Sequence, residues 1–217
     1  MMSEAMQALL TTPEQRLQLT QLQEDLYFAK IPKEDYSTIL EETNTFAKNK
    51  AKECRIKYSG QSLKEILKAL NLQLVYEELP ISEEFTSIGY FETPAKIGIN
   101  QALKQNDTIL NQFGLEWLTF DVWEEIVIAH ELFHYFQSQE KENFLNKYKV
   151  SLWKLGFYTH QTKINTLSEI AAMVFAKEFL QLDFYPGYLH LFLIYPNFPK
   201  EVNERMQEVI VRANHWL

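Results

Sequence analysis

Apolar residues recur at spacings of three and four along most of this chain, and one central interval shortens the period to two. Thr12-Pro13-Glu14-Gln15 places an N-cap threonine before a proline at the first helical position, and Leu19, Leu22 and Leu26 carry the helical period on. After Pro32 a second helical pattern runs through Tyr36, Leu40, Phe46 and Cys54. Ser62 and Glu65 form a capping box ahead of "LKEILKAL", and Asn71 suits the left-handed C-cap that follows. Alternation then takes over. "LQLVYEEL" (72–79), "SIGYFE" (87–92) and "KIGIN" (96–100) are predicted strands, the last two separated by a turn at Thr93-Pro94.

Beyond about residue 101 the pattern is mostly helical. Asp121 with Glu124 predicts the cap of a helix through about 138, whose apolar stripe is Val122, Ile126, Ala129, Phe133 and Phe136. "TLSEIAAMVFAKEFL" reads as a second long helix, and a last one over 200–216 turns Val202, Met206, Val209 and Trp216 to one side. The Pro-punctuated aromatic stretch 184–199 fits core filling between helices better than a lid over a cleft. Strands followed by helices predict an α+β fold, a small and mostly antiparallel sheet packed on helices. Residues 1–30 read as a helical extension, 31–183 as the main domain, and 184–217 as a segment packed on that domain.

Composition narrows the function classes. With 217 residues, 46% hydrophobic and 23% charged, the chain can bury a sizeable core. A net charge of −8 without a strong Lys/Arg cluster argues against a direct grip on nucleic acid, and "AKNKAKECRIK" (47–57) reads as a solvated helical face. Cys54 is the only cysteine, which excludes an intrachain disulfide and a cysteine-based metal site. The first residues lack the pattern of a secretory signal, and no run approaches the ~20 apolar residues of a membrane span. The expectation is a soluble, cytoplasmic protein with no membrane partner.

Chemistry concentrates in "IAHELFHYF" (128–136). His130 and His134, four apart, leave a helix on one face, a spacing at which two imidazoles reach one tetrahedral zinc. Glu131 is turned about 100° around the axis, so it is placed to act as a general base beside the metal rather than as an equivalent ligand. A third ligand is required. Glu140 lies six past His134 but without the glycine that would break the helix, since position 137 is Gln. His160 and His190 sit in aromatic settings that suit core histidines. Glu169 is the best candidate, although Thr166 to Glu169 also reads as a capping box; Ala171, Ala172 and Ala176 favour the ligand by permitting close packing on the motif helix.

Together these residues resemble the ImmA/IrrE-type metallopeptidases, which pair an H-E-x-x-H helix with a downstream helix reading roughly E-x-x-A-N-x-F-A. The counterparts are "HELFH" (130–134) and "EIAAMVFA" (169–176), with Glu169, Ala172, Phe175 and Ala176 in register. The resemblance covers roughly 35 to 180; Met173 stands where the family usually has Asn, and Phe133 where Gly is common. It implies a gluzincin-like metallopeptidase domain over 31–183, with zinc on His130, His134 and Glu169 and with Glu131 as base. It also implies a zinc-dependent intracellular endopeptidase acting on a protein or peptide substrate, such as a helix-turn-helix repressor of a mobile element. A binding module or toxin that sequesters a repressor or antitoxin without cutting it is the alternative. No second oxyanion donor is identifiable: Tyr158, His160, Tyr185 and His190 qualify by residue type, but packing is the commoner role for each, and "KIGIN" is a candidate edge for an extended peptide.

Overall fold

The computed structural model describes residues 2–83, 86–140 and 144–216. In chain order its elements begin with helices α1 (Glu4–Thr11), α2 (Glu14–Leu22), α3 (Tyr36–Lys57) and α4 (Leu63–Ala69). Strands β1 (Gln73–Glu77), β2 (Gly89–Glu92) and β3 (Lys96–Asn100) follow, then helices α5 (Asp107–Gln112), α6 (Phe120–Gln139) and α7 (Phe144–Lys147). Strands β4 (Lys149–Leu155) and β5 (Tyr158–Lys163) precede α8 (Thr166–Leu180), α9 (Leu189–Ile194) and α10 (Pro199–Asn214). The fold is mixed α+β, with small unclosed sheets packed against a dominant helical core.

The centre of that core is the packing of α3, α6 and α8. Ala47 and Ala51 of α3, Ala129 of α6, and Ala171, Ala172 and Ala176 of α8 are solvent-free or nearly so, which lets the helix axes approach closely. Phe133 of α6 fills the space between them, its ring 6.1 Å from Phe46 and 5.6 Å from Phe175. Burying an aromatic side chain this fully stabilises the fold by about 1.5–3 kcal/mol. Val202, Met206 and Val209 of α10 are buried as their spacing predicts, and Leu189, Leu191, Phe192, Leu193 and Ile194 of α9 are core residues.

Two expectations about the sheet are overturned. It is mixed rather than mostly antiparallel, because β1 runs parallel to β3 and β2 antiparallel to it. The order β1-β3-β2 also makes "KIGIN" the central strand, so it offers no free edge to a peptide. The physical reason is burial on both faces: Ile97 and Ile99 are wholly buried on one, Gly98 and Asn100 are buried on the other, and a strand covered on both faces belongs inside a sheet. The edge beside α6 is β2.

Local caps divide in the same way. The Ser62–Glu65 capping box forms, and Asn71 adopts φ 55° as expected. Thr12 does not cap α2; its hydroxyl donates back to Ala8 O at 2.7 Å, closing α1, which precedes the predicted first helix within the helical extension. Helix α2 stops at Leu22, which leaves Leu26 exposed. Asp121 does not cap α6 either, because Asp107 reaches over to accept from Phe120 N at 2.7 Å. Glu124, the supposed cap partner, is buried against the Tyr76 hydroxyl and Lys64 instead. The β4–β5 hairpin occupies a region expected to be helical. Among the described residues no helix is long and apolar enough to cross a membrane.

Candidate metal centre

Helix α6 carries His130, Glu131 and His134 at its middle, where it is held between β2 and α8. His130 is 8% exposed and Glu131 7%. From α8, Glu169 extends a half-exposed side chain to the same point. His130 Nε2 lies 3.3 Å from Glu169 Oε2, His134 Nε2 lies 3.6 Å from Glu169 Oε1, and the two Nε2 atoms stand 3.1 Å apart. The three residues form a candidate metal-coordinating cluster, with ligand atoms within 4.8 Å of one another. In a tetrahedral site with bonds of about 2.0–2.1 Å, neighbouring ligand atoms stand about 3.3 Å apart, so the separations fit. Two imidazole lone pairs and a carboxylate aimed at one point also need a cation or proton between them.

Glu169 is released from a capping role by a residue distant in sequence. Asp25 Oδ2 accepts from both the Thr166 N–H and the Thr166 hydroxyl, each at 3.1 Å, so the N-terminus of α8 is satisfied from outside. The Thr166–Glu169 capping box does not form, and the Glu169 carboxylate turns to the histidines. Burial works to raise its pKa, but hydrogen bonds and charge from His130 and His134 outweigh this and hold it well below the usual carboxylate range.

Glu131 behaves in the opposite way. Burial pushes its carboxyl up and the nearby Glu169 adds to this, while His130, His134 and the Phe91 N–H pull back without cancelling it. Two carboxyls in one small site are thus held apart in proton affinity, the arrangement expected of a charge-neutralising ligand beside a proton acceptor. Burial also lowers His134, but Glu169, Glu131 and Gln137 outweigh it and raise its pKa.

A cavity of about 370 Å³ opens onto the cluster, lined by Gly89, Tyr90 and Phe91 of β2 together with His130, Glu131, His134 and Glu169. A second of about 460 Å³ adjoins it, sharing Phe91, His134 and Glu169 and adding polar residues such as Gln137, Asn165, Ser168 and Lys163. The β2 residues escape sequence reasoning, although a glycine inside a strand is a sign of close backbone approach. At Gly89 a Cβ would run into Val127 Cγ1, so only glycine lets β2 lie this near α6. Gln137 also escapes it. Its Oε1 accepts from Ser168 Oγ at 2.7 Å and stands 3.3 Å from His134 Nδ1, which fixes that ring with Nε2 free toward the cluster. His130 Nδ1 is buried with no partner among the described residues.

The other candidates lie elsewhere. Glu140 ends α6 in an ion pair with Lys50. His160 stacks on Trp153 in the β4–β5 hairpin, 5.2 Å between ring centroids. His190 is on α9, and burial, with some help from Arg205, draws its pKa down to about 4. The Tyr185 hydroxyl is committed to Gln21 Oε1 at 2.6 Å, and the Tyr158 side chain lies outside the described residues. Comparison with family models, with curated proteins and with solved structures gives no match.

Proposed function

We propose that the chain is a zinc metallopeptidase of gluzincin-like fold, with His130, His134 and Glu169 as ligands and Glu131 as general base. The observation that carries this is the position of Glu131: a buried carboxyl of raised proton affinity on the wall of the cavity onto which the three ligands converge. A purely structural metal has no use for a base there. Zinc, when bound, supplies a Lewis acid for the scissile carbonyl and lowers the pKa of water. Glu131 takes the proton from the attacking water and passes it to the leaving amine, a role that its buried place on the cavity wall and its raised pKa both suit. His134 is held in register by Gln137, and Gly89 keeps the backbone of β2 close enough for an extended peptide to lie along that strand's edge.

Cleavage of a regulatory protein, such as a helix-turn-helix repressor, within the cell is the substrate reading that follows from the resemblance. The test is exposure of a complex peptide mixture to zinc-loaded protein, with new termini read by mass spectrometry for wild type, Glu131→Gln and zinc-stripped protein. New termini from wild type alone support the proposal. Equal yields from wild type and zinc-loaded Glu131→Gln contradict it, as does a wild type that keeps its zinc and cuts nothing.

A further inference from the structure

Charge is unevenly spread along this chain. Residues 144–168 contain no Asp or Glu and four lysines, Lys147, Lys149, Lys154 and Lys163, although the net charge of the whole is −8. This run forms α7 and the β4–β5 hairpin and ends in the first turn of α8. Lys149, Lys154 and Lys163 have no ion-pair partner among the described residues.

The hairpin is anchored at its open end and free at its tip. Val150 and Ile164 are buried in the core. At the tip Gly156 takes φ +59°, and nothing lies within 4 Å of where its Cβ would stand. Three large apolar residues surround that turn in the open: Trp153 is 51% exposed, Leu155 74%, and Phe157 fully. Trp153 and Leu155 share one face by strand alternation, and the Trp153 ring lies nearly parallel to His160, 19° between planes. Large apolar side chains grouped in the open on a convex tip, Leu155 and Phe157 above all, cost solubility, which marks a contact with something else.

We propose that the β4–β5 hairpin docks the protein on an anionic membrane surface. Leu155 and Phe157 enter the headgroup region, Trp153 sits at its level, Lys154 beside them meets lipid phosphates, and Lys149 and Lys163 at the open end add a longer-range attraction. Convexity favours lipid over a folded partner, because a bilayer interface yields around any apolar protrusion whereas a protein must offer a matching pocket. The residue types agree, since tryptophan and lysine are those that settle at the membrane–water boundary, and unpaired cations are drawn to acidic lipid. The acidic remainder of the chain is repelled from the same surface, which orients the molecule. Lys163 and Asn165 at the hairpin's base line the cavity beside the metal cluster, so docking holds that cavity within roughly 20 Å of the surface, about the length of a six-residue strand.

The experiment is co-sedimentation of the full chain with vesicles of phosphatidylcholine alone and of phosphatidylcholine with phosphatidylglycerol, at about 0.1 M salt and at higher salt. Binding to the acidic vesicles is expected, at least about tenfold weaker on phosphatidylcholine and falling as salt rises. Leu155→Asp with Phe157→Asp, and separately Lys149→Gln with Lys154→Gln and Lys163→Gln, each lower it about tenfold while the melting temperature stays in place. Absence of sedimentation with acidic vesicles at low salt overturns the proposal, as does binding indifferent to both sets of substitutions. Hairpin-dependent capture by immobilised polyglutamate without vesicle binding also overturns it, and assigns the surface to an acidic protein partner.

Discussion

The corner where β2, α6 and α8 meet and the β4–β5 hairpin lie next to each other, yet they are built on opposite terms. At the corner Phe133 and Phe175 are sealed in the core, glycine and alanine hold the backbones close, and Gln137 and Ser168 brace the His134 ring. In the hairpin a two-stranded ribbon leaves Leu155 and Phe157 in solvent. Precision follows need: side chains that must converge within a few ångströms sit on buried, mutually supported elements, whereas a docking surface needs only to be presented.

Four tests probe this contrast. The largest effect is expected from Glu131→Gln, which should cut peptide hydrolysis by about 10²–10⁴-fold while zinc stoichiometry is kept, read by initial rates beside elemental analysis. Next, Phe133→Ala should destabilise the protein by about 3–5 kcal/mol in urea unfolding, whereas Phe157→Ala should change stability by less than about 0.5 kcal/mol. Comparable losses at both positions would erase the distinction.

His190 gives a pH-dependent version of the same test. Its folded pKa is depressed to about 4, so the folded chain refuses a proton that the unfolded chain accepts from near 6.5 downward. Its contribution to stability is therefore complete above about pH 6.5 and is lost as pH falls to about 4, by at most about 3 kcal/mol. His190→Phe should flatten the stability profile over that window, and an unchanged slope would show that the imidazole is not held neutral. The smallest effect is at Gln137. Gln137→Ala should weaken zinc binding about tenfold by releasing the His134 ring, measured by chelator competition, and Gln139→Ala should not.

How much of this was legible depended on the range of the interaction. The α6 and α8 helices, the His130–His134 face, the Ser62–Glu65 cap and the Asn71 turn are written in local spacing and could be read directly. Glu169 was half legible: whether it is spent as a cap turned on Asp25, far away in sequence, which caps α8 in its place. Asp107 displaced the expected Asp121 cap by the same kind of long-range bond. Strand order was hidden because β1, β2 and β3 read alike as short apolar runs, and only folding shows that β3 takes the centre. The hairpin was missed because its apolar residues face water, so burial periodicity carried no signal there.

The most direct test of the central claim is the zinc content of purified protein, wild type beside Glu169→Ala, by elemental mass spectrometry. About one zinc per chain in the wild type, with at least a ~100-fold loss of affinity in the variant, is the predicted result. A wild type that takes up no zinc when resupplied, or a variant that binds it equally well, would contradict the assignment of His130, His134 and Glu169 as a metal site.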